Sequence, residues 1–277
     1  MVGVFYFQFF NFYVFIYTNL KTNNVMAETQ YDFPTEVLDL PSKGLVYPKE
    51  HPLSSGQITI KHMTAKEEDI LSNQNLIKKG IVLDKLFESI IVGNITPSDI
   101  ILGDKNAIIL ATRLLGYGPE YFFKFYSSKL NESIDAKVDL GKVKTKEVDL
   151  SIFDNKNEFE FILPSNKKKI ICKLLTHGDE IAIDKDIQAI EKLGGVGAEI
   201  TTRLRYMIQS VDGDNSSTTI NKFVNGLLAL DSRALRSYVK KISPDVDMKF
   251  THIHEDGEVE EAPITMGVSF FWPSTES

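Results

Sequence analysis

The apolar residues of this chain repeat with a helical period in two stretches and with a strand period between them. The clearest helical stripe, Ile220, Phe223, Val224, Leu227 and Leu228, has the i, i+3, i+4, i+7, i+8 spacing of one helix face. Between the helical stretches lie short alternating or apolar runs, separated by Asn, Ser, Lys and Pro. The sequence therefore predicts an α+β fold, with mainly helical halves, a small inserted β module and a C-terminal β-hairpin.

Composition divides the chain into six regions. They are an apolar extension or upstream-start artefact (1–25), an extended N-terminal arm (26–56), a helical region (57–120), the β module (121–176), a second helical region (177–246), and a C-terminal hairpin with an aromatic tail (247–277). The arm is rich in Pro, Gly, Ser and charge and has no sustained period. We therefore expect it to be ordered only by packing on something else, such as a neighbouring subunit.

Local signals place the individual elements. Helices are predicted at about 64–73, 82–92, 104–115, 179–193, 199–209, 217–230 and 232–242. Strands are predicted at about 57–63, 121–125, 134–140, 159–163 and 169–175. Thr64 and Glu67 have the spacing of a capping box, and Asp231 is expected to cap the last helix. Asp256-Gly257 predicts the turn of the terminal hairpin.

Composition also narrows the class of function. With 43% hydrophobic and 25% charged residues, the 277-residue chain can bury a sizeable core. Its net charge of -7 argues against non-specific binding to nucleic acid, which needs clustered Lys and Arg, and the basic triplet 167–169 predicts only a solvated turn. Cys172 is the one cysteine, so no disulfide forms within the chain, as suits a reducing cytoplasm. Its apolar neighbours predict that it is buried.

The segment 2–17 is dense in Phe, Tyr and Val and admits three interpretations. A secretory signal would carry Lys or Arg before the apolar run, and none is present. A spanning helix needs roughly 20 apolar residues, and Gln8 and Asn11 interrupt this run. The third interpretation, which we favour, is translation read from upstream of a natural start at Met26. We therefore predict no membrane association unless residues 2–17 are truly translated.

Three segments were candidates for chemistry. The glycine-rich stretch 194–197 follows a predicted helix and lacks the lysine of a phosphate-binding loop, so it predicts a helix-to-helix connection. His252 and His254 share a strand face but lack a third metal ligand, which favours two exposed histidines. In the segment 177–180, His-Gly-Asp-Glu, the carboxylates suit the start of a helix. The sequence therefore predicts no catalytic residue, no metal ligand and no cofactor.

Short motifs in one order carry a family resemblance. They lie at 40–48, 58–68, 75–84, 102–104, 115–118, 175–180, 200–204, 231–236, 244–247, 264–265 and 270–273. The stretch from Leu40 to Pro273 resembles the baseplate hub protein family of T4-type contractile-tailed bacteriophages. The resemblance implies a non-enzymatic structural or assembly protein of the virion tail baseplate, assembled in the host cytoplasm. Its partners would be other baseplate hub proteins, with no nucleic acid.

The resemblance also bears on metal binding. Several members of the family carry Cys-x-x-Cys pairs at positions that match 126–130 and 251–257, and this chain has no cysteine in either segment. Both halves of a possible zinc ribbon are therefore missing together. We expect no zinc, and we expect packing to hold the two hairpins instead. The alternative function is a metal-binding module or metal-dependent enzyme that uses His252 and His254.

Eight side chains were candidates for partner binding. They are Leu45, Val46 and Tyr47 in the arm, Arg233 and Arg236 on the last helix, and Phe270, Phe271 and Trp272 in the tail. Planar, multidentate arginines and large aromatics are favoured at interfaces. For the two arginines, simple surface solvation was the alternative. For the tail, the alternative was that Phe270 and Trp272 form the inner face of a last strand.

Overall fold

The computed structural model describes residues 33–195 and 197–272 of the chain. Within them, eight helices and four small antiparallel sheets confirm the α+β class. Most of the buried apolar side chains of these elements belong to one continuous core. The segment 2–17 and Pro273, about which the sequence makes predictions, lie outside the described residues. No helix among those described is both long enough and apolar enough to cross a bilayer.

The first sheet contains three strands in the order β1-β2-β3. Strand β1 is Thr35–Asp39, β2 is Gln57–Lys61 and β3 is Ile91–Val92. Helices α1 (Ala65–Ser72), α2 (Gln74–Lys78) and α3 (Val82–Ile90) lie between β2 and β3 in the chain.

The predicted capping box starts α1. The backbone N–H of Thr64 donates to the Glu67 carboxylate at 2.8 Å.

The predicted arm is part of this chain's own fold, which corrects the expectation of a segment without a core. Strand β1 pairs with β2 along its whole length. Leu40, Val46, Tyr47 and Leu53 are all buried in the shared core. The prolines and glycines of the arm suppress a regular period, yet the turns they form still direct apolar side chains inward. Sequence periodicity therefore missed both the strand and the buried residues.

Helix α4, Leu102–Tyr117, lies at the centre of the molecule. Its residues from Gly103 to Arg113 are buried on every side, except for the half-buried Asn106. A helix that is covered all round belongs to the interior of a fold. Elements from both ends of the chain pack on it, as the contacts below show.

Two hairpins pack face to face beside α4. One consists of β4 (Glu120–Ser127) and β5 (Glu132–Asp139), and the other of β9 (Lys249–Ile253) and β10 (Val259–Pro263). The ring of Phe250 lies 5.1 Å, centroid to centroid, from the rings of both Phe123 and Phe125. The predicted turn at Asp256-Gly257 is present, and Gly257 has a φ of 84°, which favours glycine.

The predicted β strands between 121 and 176 are present but divide between two sheets. Strands β6 (Phe159–Ile162) and β7 (Lys169–Cys172) join β8 (Ile208–Val211) in the order β6-β7-β8. Strand β8 begins within the stretch predicted as a helix to 209. Pairing with β7, which no local pattern reveals, decides its conformation.

The second helical region contains four helices. They are α5 (His177–Lys192), α6 (Glu199–Met207), α7 (Ser217–Asn225) and α8 (Ala229–Ile242). The helix predicted at 217–230 therefore ends early, at Asn225, with Gly226 as its C-cap. The end of the predicted apolar stripe, Leu227 and Leu228, lies in the link between α7 and α8.

Candidate functional site

The buried carboxylate of Asp104, in the first turn of α4, binds the N-terminal arm. It accepts hydrogen bonds from the backbone N–H of Ser42 at 3.0 Å, the Ser42 hydroxyl at 2.7 Å and the Tyr47 hydroxyl at 2.7 Å. The Tyr47 oxygen in turn accepts from the Ile101 N–H at 3.1 Å. Burial raises the pKa of Asp104 to about 6, although the Ser42 and Tyr47 donors oppose that rise.

A second motif packs on the same turn of α4. A Cβ atom on Gly103 would lie only 1.7 Å from the carbonyl oxygen of Pro244, so the two backbones are in direct contact. Asn106 donates to the carboxylate of Asp245 at 3.0 Å. The motifs at 40–48, 102–104 and 244–247, which are far apart in sequence, therefore meet inside the fold.

The His177 motif is also internal. The Nε2 atom of the buried His177 lies 2.5 Å from Asp84 Oδ1, and its backbone N–H donates to Ile100 at 2.8 Å. Lys105 and Glu180 form an ion pair nearby. Burial, and next the charge of Lys105, lower the pKa of His177 below its ordinary value. These are acid–base groups, but His177 and Lys105 are enclosed by protein, where they tie helices α3, α4 and α5 together.

The predicted role of Asp179 at the start of α5 is confirmed. Its carboxylate accepts from the Thr176 N–H at 2.9 Å, and the Thr176 hydroxyl accepts from the Asp179 N–H at 3.2 Å. This reciprocal pair is a second capping box. The polar side chains of the segment 177–180 therefore cap the start of α5 and position that helix.

His252 and His254 lie on the hairpin face that packs on β4. Their ring centroids are 4.7 Å apart, and His252 also contacts Phe125 at 5.3 Å. His254 is buried, which corrects the prediction that both histidines are exposed, and its Nε2 lies 3.1 Å from Glu260. In the described part of the chain, no group of three or more His, Cys, Asp or Glu side chains is placed to hold a metal ion.

Cys172 is buried as predicted, and its sulfur lies 3.3 Å from the carbonyl oxygen of Phe159. Burial raises the pKa of the Cys172 thiol to about 12. A thiol with that pKa is protonated at neutral pH, so it has little reactivity as a nucleophile.

A cluster of polar contacts, which we call the hairpin clasp, joins the two hairpins near their turns. The Glu260 carboxylate accepts from the Ser127 hydroxyl, the Ser128 N–H and the Ser128 hydroxyl, each at 2.7 Å. Lys129 forms ion pairs with Asp256 and, at 2.7 Å, with Glu258. The serines and Lys129 lie in the segment 126–130.

Most of the predicted docking residues in the arm and the tail lie in this chain's own core. Val46 and Tyr47 are buried, and Phe270 and Phe271 have no exposed surface. A partner cannot contact these four side chains in the folded chain, which corrects the prediction for them. Leu45 is half-buried and packs on the same core.

The tail forms a 3-10 helix, Val268–Phe271, and not the last strand of a sheet. The buried guanidinium of Arg113 on α4 donates to the carbonyl oxygen of Phe270 at 3.1 Å. The rings of Phe270 and Tyr121 are 4.9 Å apart. Trp272 is the predicted tail residue that reaches the surface, with 36% of its area exposed.

Arg233 and Arg236 are exposed on α8, as a docking role requires. Arg236 donates to the Ser232 carbonyl at 3.3 Å within its own helix. The prediction that Asp231 caps α8 is wrong. Asp231 lies inside the helix, buried, and accepts from the Ser165 N–H at 3.1 Å, whereas the N-cap residue is Leu228 and makes no side-chain cap.

A groove lies next to these arginines in sequence, with a volume of about 460 Å³. Its lining comes from the β6–β7 turn, β8, α7, the α7–α8 link and Asp231 of α8, and includes Lys222, Phe223 and Leu227. Leu228 lines it as well and is 58% exposed. Leu230, in the first turn of α8, is 64% exposed. We call Lys222, Leu228, Leu230, Arg233 and Arg236 the α7–α8 surface.

Sequence reasoning found the two arginines of this surface but missed Lys222, Leu228 and Leu230. The stripe pattern assigned Leu228 to a buried helix face. The signal that could have corrected this was Gly226, because a glycine inside a helical pattern often marks a helix end.

Comparisons of the chain with protein-family models, with curated proteins and with solved structures find no match.

Proposed function

We propose that this chain is a structural or assembly protein of the baseplate hub of a contractile phage tail. It acts by protein–protein contacts with other baseplate hub proteins and is located in the virion tail baseplate, after assembly in the host cytoplasm. Under this proposal it is not an enzyme and uses no cofactor or nucleic acid, and it does not bind a membrane unless residues 2–17 are truly translated. The resemblance of the ordered motifs supports the family, and the surface of the molecule supports the mode of action.

One observation carries the mode of action. The polar side chains of the motifs, such as Asp104 and His177, bind one another inside the fold, whereas large apolar side chains are exposed at the surface. Leu228 and Leu230 are mostly exposed, and the exposed Arg233 and Arg236 follow Leu230 at three-residue steps along α8. Exposed leucines and arginines near one another suit a surface that a second protein covers.

The alternative, a metal site at His252 and His254, has weaker support. The Nε2 atom of His254 faces Glu260, whose carboxylate already accepts three hydrogen bonds from Ser127 and Ser128. Metal analysis of protein purified without an affinity tag tests it. Stoichiometric metal that is lost in the His252→Ala, His254→Ala double variant would favour the alternative over our proposal.

Sedimentation of the purified chain with each of the other hub proteins of its phage tests the proposal. We expect a faster-sedimenting complex with at least one of them. Leu230→Asp should weaken that complex because it places a charge in the apolar contact, whereas Lys66→Glu, an exposed change on α1, should not. If the chain sediments separately from every one of the hub proteins, that result would contradict the proposal.

A further inference from the structure

We infer that the groove beside α7 and α8 binds an amphipathic segment of a partner protein that carries apolar side chains and at least one carboxylate. This inference rests on the proposed function and names the chemistry of the contact. Three observations support it: the apolar side chains in the lining, an exposed lysine without a partner among the described residues, and the volume of the site.

The apolar lining is graded from floor to rim. Val211 is buried at the floor, Phe223 and Leu227 are half-buried, and Leu228 is mostly exposed at the rim. A partner's apolar side chains would cover Leu228 and complete the burial of Phe223 and Leu227. Removing this apolar area from water favours binding without requiring a particular hydrogen-bonding pattern.

Among the charged side chains that line the groove, Lys222 is the exposed one without a partner in the described part of the chain, whereas Lys168 and the buried Asp231 both have partners. Lys168 pairs with Asp212 at 2.9 Å, and the buried carboxylate of Asp231 accepts hydrogen bonds from Ser165. Lys222 is exposed, and no carboxylate in the described ranges lies within ion-pair distance of it. A partner carboxylate is the group that would neutralise Lys222 on binding.

Arg233 adds to this positive character. It lies in the second turn of α8, is exposed, and forms no ion pair with a described residue. The rest of the chain is acidic, with a net charge of -7, so this local excess of positive charge stands out from the whole. A second copy of the chain would bring the same net negative charge, which opposes self-association.

The groove suits a segment of a protein better than a nucleic acid or a flat surface. Its volume of about 460 Å³ lies within the usual range of binding pockets. Nucleic acid binding neutralises several phosphates, and the groove offers one unpaired lysine in a lining that is half polar and half apolar. An apolar segment with a carboxylate matches both features.

Two measurements test the inference in the full-length chain. In the first, a photoreactive benzoylphenylalanine replaces Leu228 in phage-producing cells, and mass spectrometry identifies the crosslinked peptide. We expect a peptide from another tail protein that contains apolar residues and Asp or Glu. A basic peptide, a peptide of this same chain, a nucleic acid adduct or no crosslink would overturn the inference.

The second measurement compares Lys222→Glu with Lys66→Glu in binding to the hub protein that associates with the wild-type chain. We expect Lys222→Glu to weaken binding about tenfold or more and to flatten its salt dependence, since it repels the partner carboxylate. Lys66→Glu, on α1, should bind like the wild type. Wild-type affinity in Lys222→Glu would overturn this inference alone, whereas failure of the wild type to bind any hub protein would overturn the proposed function.

Discussion

The hydroxyl of Tyr47 makes two buried hydrogen bonds, and this gives the residue a structural role. It donates to Asp104 at 2.7 Å and accepts from the Ile101 N–H at 3.1 Å. Tyr47→Phe leaves that N–H without its partner, so we expect a loss of about 1–3 kcal/mol in the free energy of unfolding. Urea denaturation measures it, with Tyr126→Phe, an exposed tyrosine, as the control. Equal stability of both variants would contradict the buried network.

The carboxyl of Asp104 should make stability depend on pH in an unusual direction. Its pKa is raised by burial to about 6, above the ordinary value of 3.8, so the folded chain binds more protons than the unfolded chain between these values. The contribution of this group to the free energy of unfolding is therefore full at pH values below 3.8 and is lost as pH rises through 6.

Asp104→Asn removes that titration. We expect the destabilisation caused by Asp104→Asn to be larger at pH 4 than at pH 7, by about 2–3 kcal/mol for two units of pKa. Urea denaturation at the two pH values measures the difference. The same destabilisation at both pH values would show that Asp104 has an ordinary pKa in the folded chain.

Among the elements, those with strong local signals were predictable. The apolar stripes of α3 and α4, the capping box of α1, the acidic start of α5 and the Asp256-Gly257 turn depend on residues within a few positions of one another. Strands β1 and β8 were missed because their conformation depends on partners far along the chain. The end of α7 was misplaced because the stripe continues beyond Gly226, whereas the helix does not.

The hairpin clasp should hold β9 and β10 against β4 and β5 without a metal ion. Glu260→Gln replaces one acceptor oxygen by an N–H donor, and the Ser127 and Ser128 donors then lose an acceptor. We expect faster amide hydrogen exchange in β9 and β10, with unchanged exchange in β6, β7 and β8.

The neighbouring change Glu261→Gln is the matched control for the clasp. Glu261 is exposed and lies 3.7 Å from Lys249 within the same hairpin. Glu261→Gln should leave the amide hydrogen exchange of β9 and β10 close to that of the wild type. Equal protection in Glu260→Gln and the wild type would show that the contacts of Glu260 do not hold the hairpins together.

At the scale of the whole molecule, the two ends of the described chain reach the same helix. Asp104 of α4 binds Ser42 and Tyr47 near the start, and Arg113 of α4 binds the carbonyl of Phe270 near the end. The sequence indicated that both ends carry large apolar side chains, but not what covers them. Their burial depends on surfaces that form only when the whole chain folds, so a local pattern could not separate a docking segment from a core segment.

The surface left for partners was only partly predictable for the same reason. Arg233 and Arg236 were found because arginines on a helix suggest an interface. Leu228 and Leu230 were not found because apolar residues in a helical pattern are usually buried. In the structure these leucines are exposed at the start of α8, and the two arginines follow them along that helix.

The central claim is that the chain acts in tail assembly through protein contacts, and deletion of its coding region from the phage tests it most directly. Electron microscopy of the infected-cell lysate should show no complete contractile tails, and the wild-type chain supplied from a plasmid should restore them. A chain with Leu228→Asp and Lys222→Glu should fold but restore few tails. Complete tails assembled in normal numbers without the chain would contradict the account.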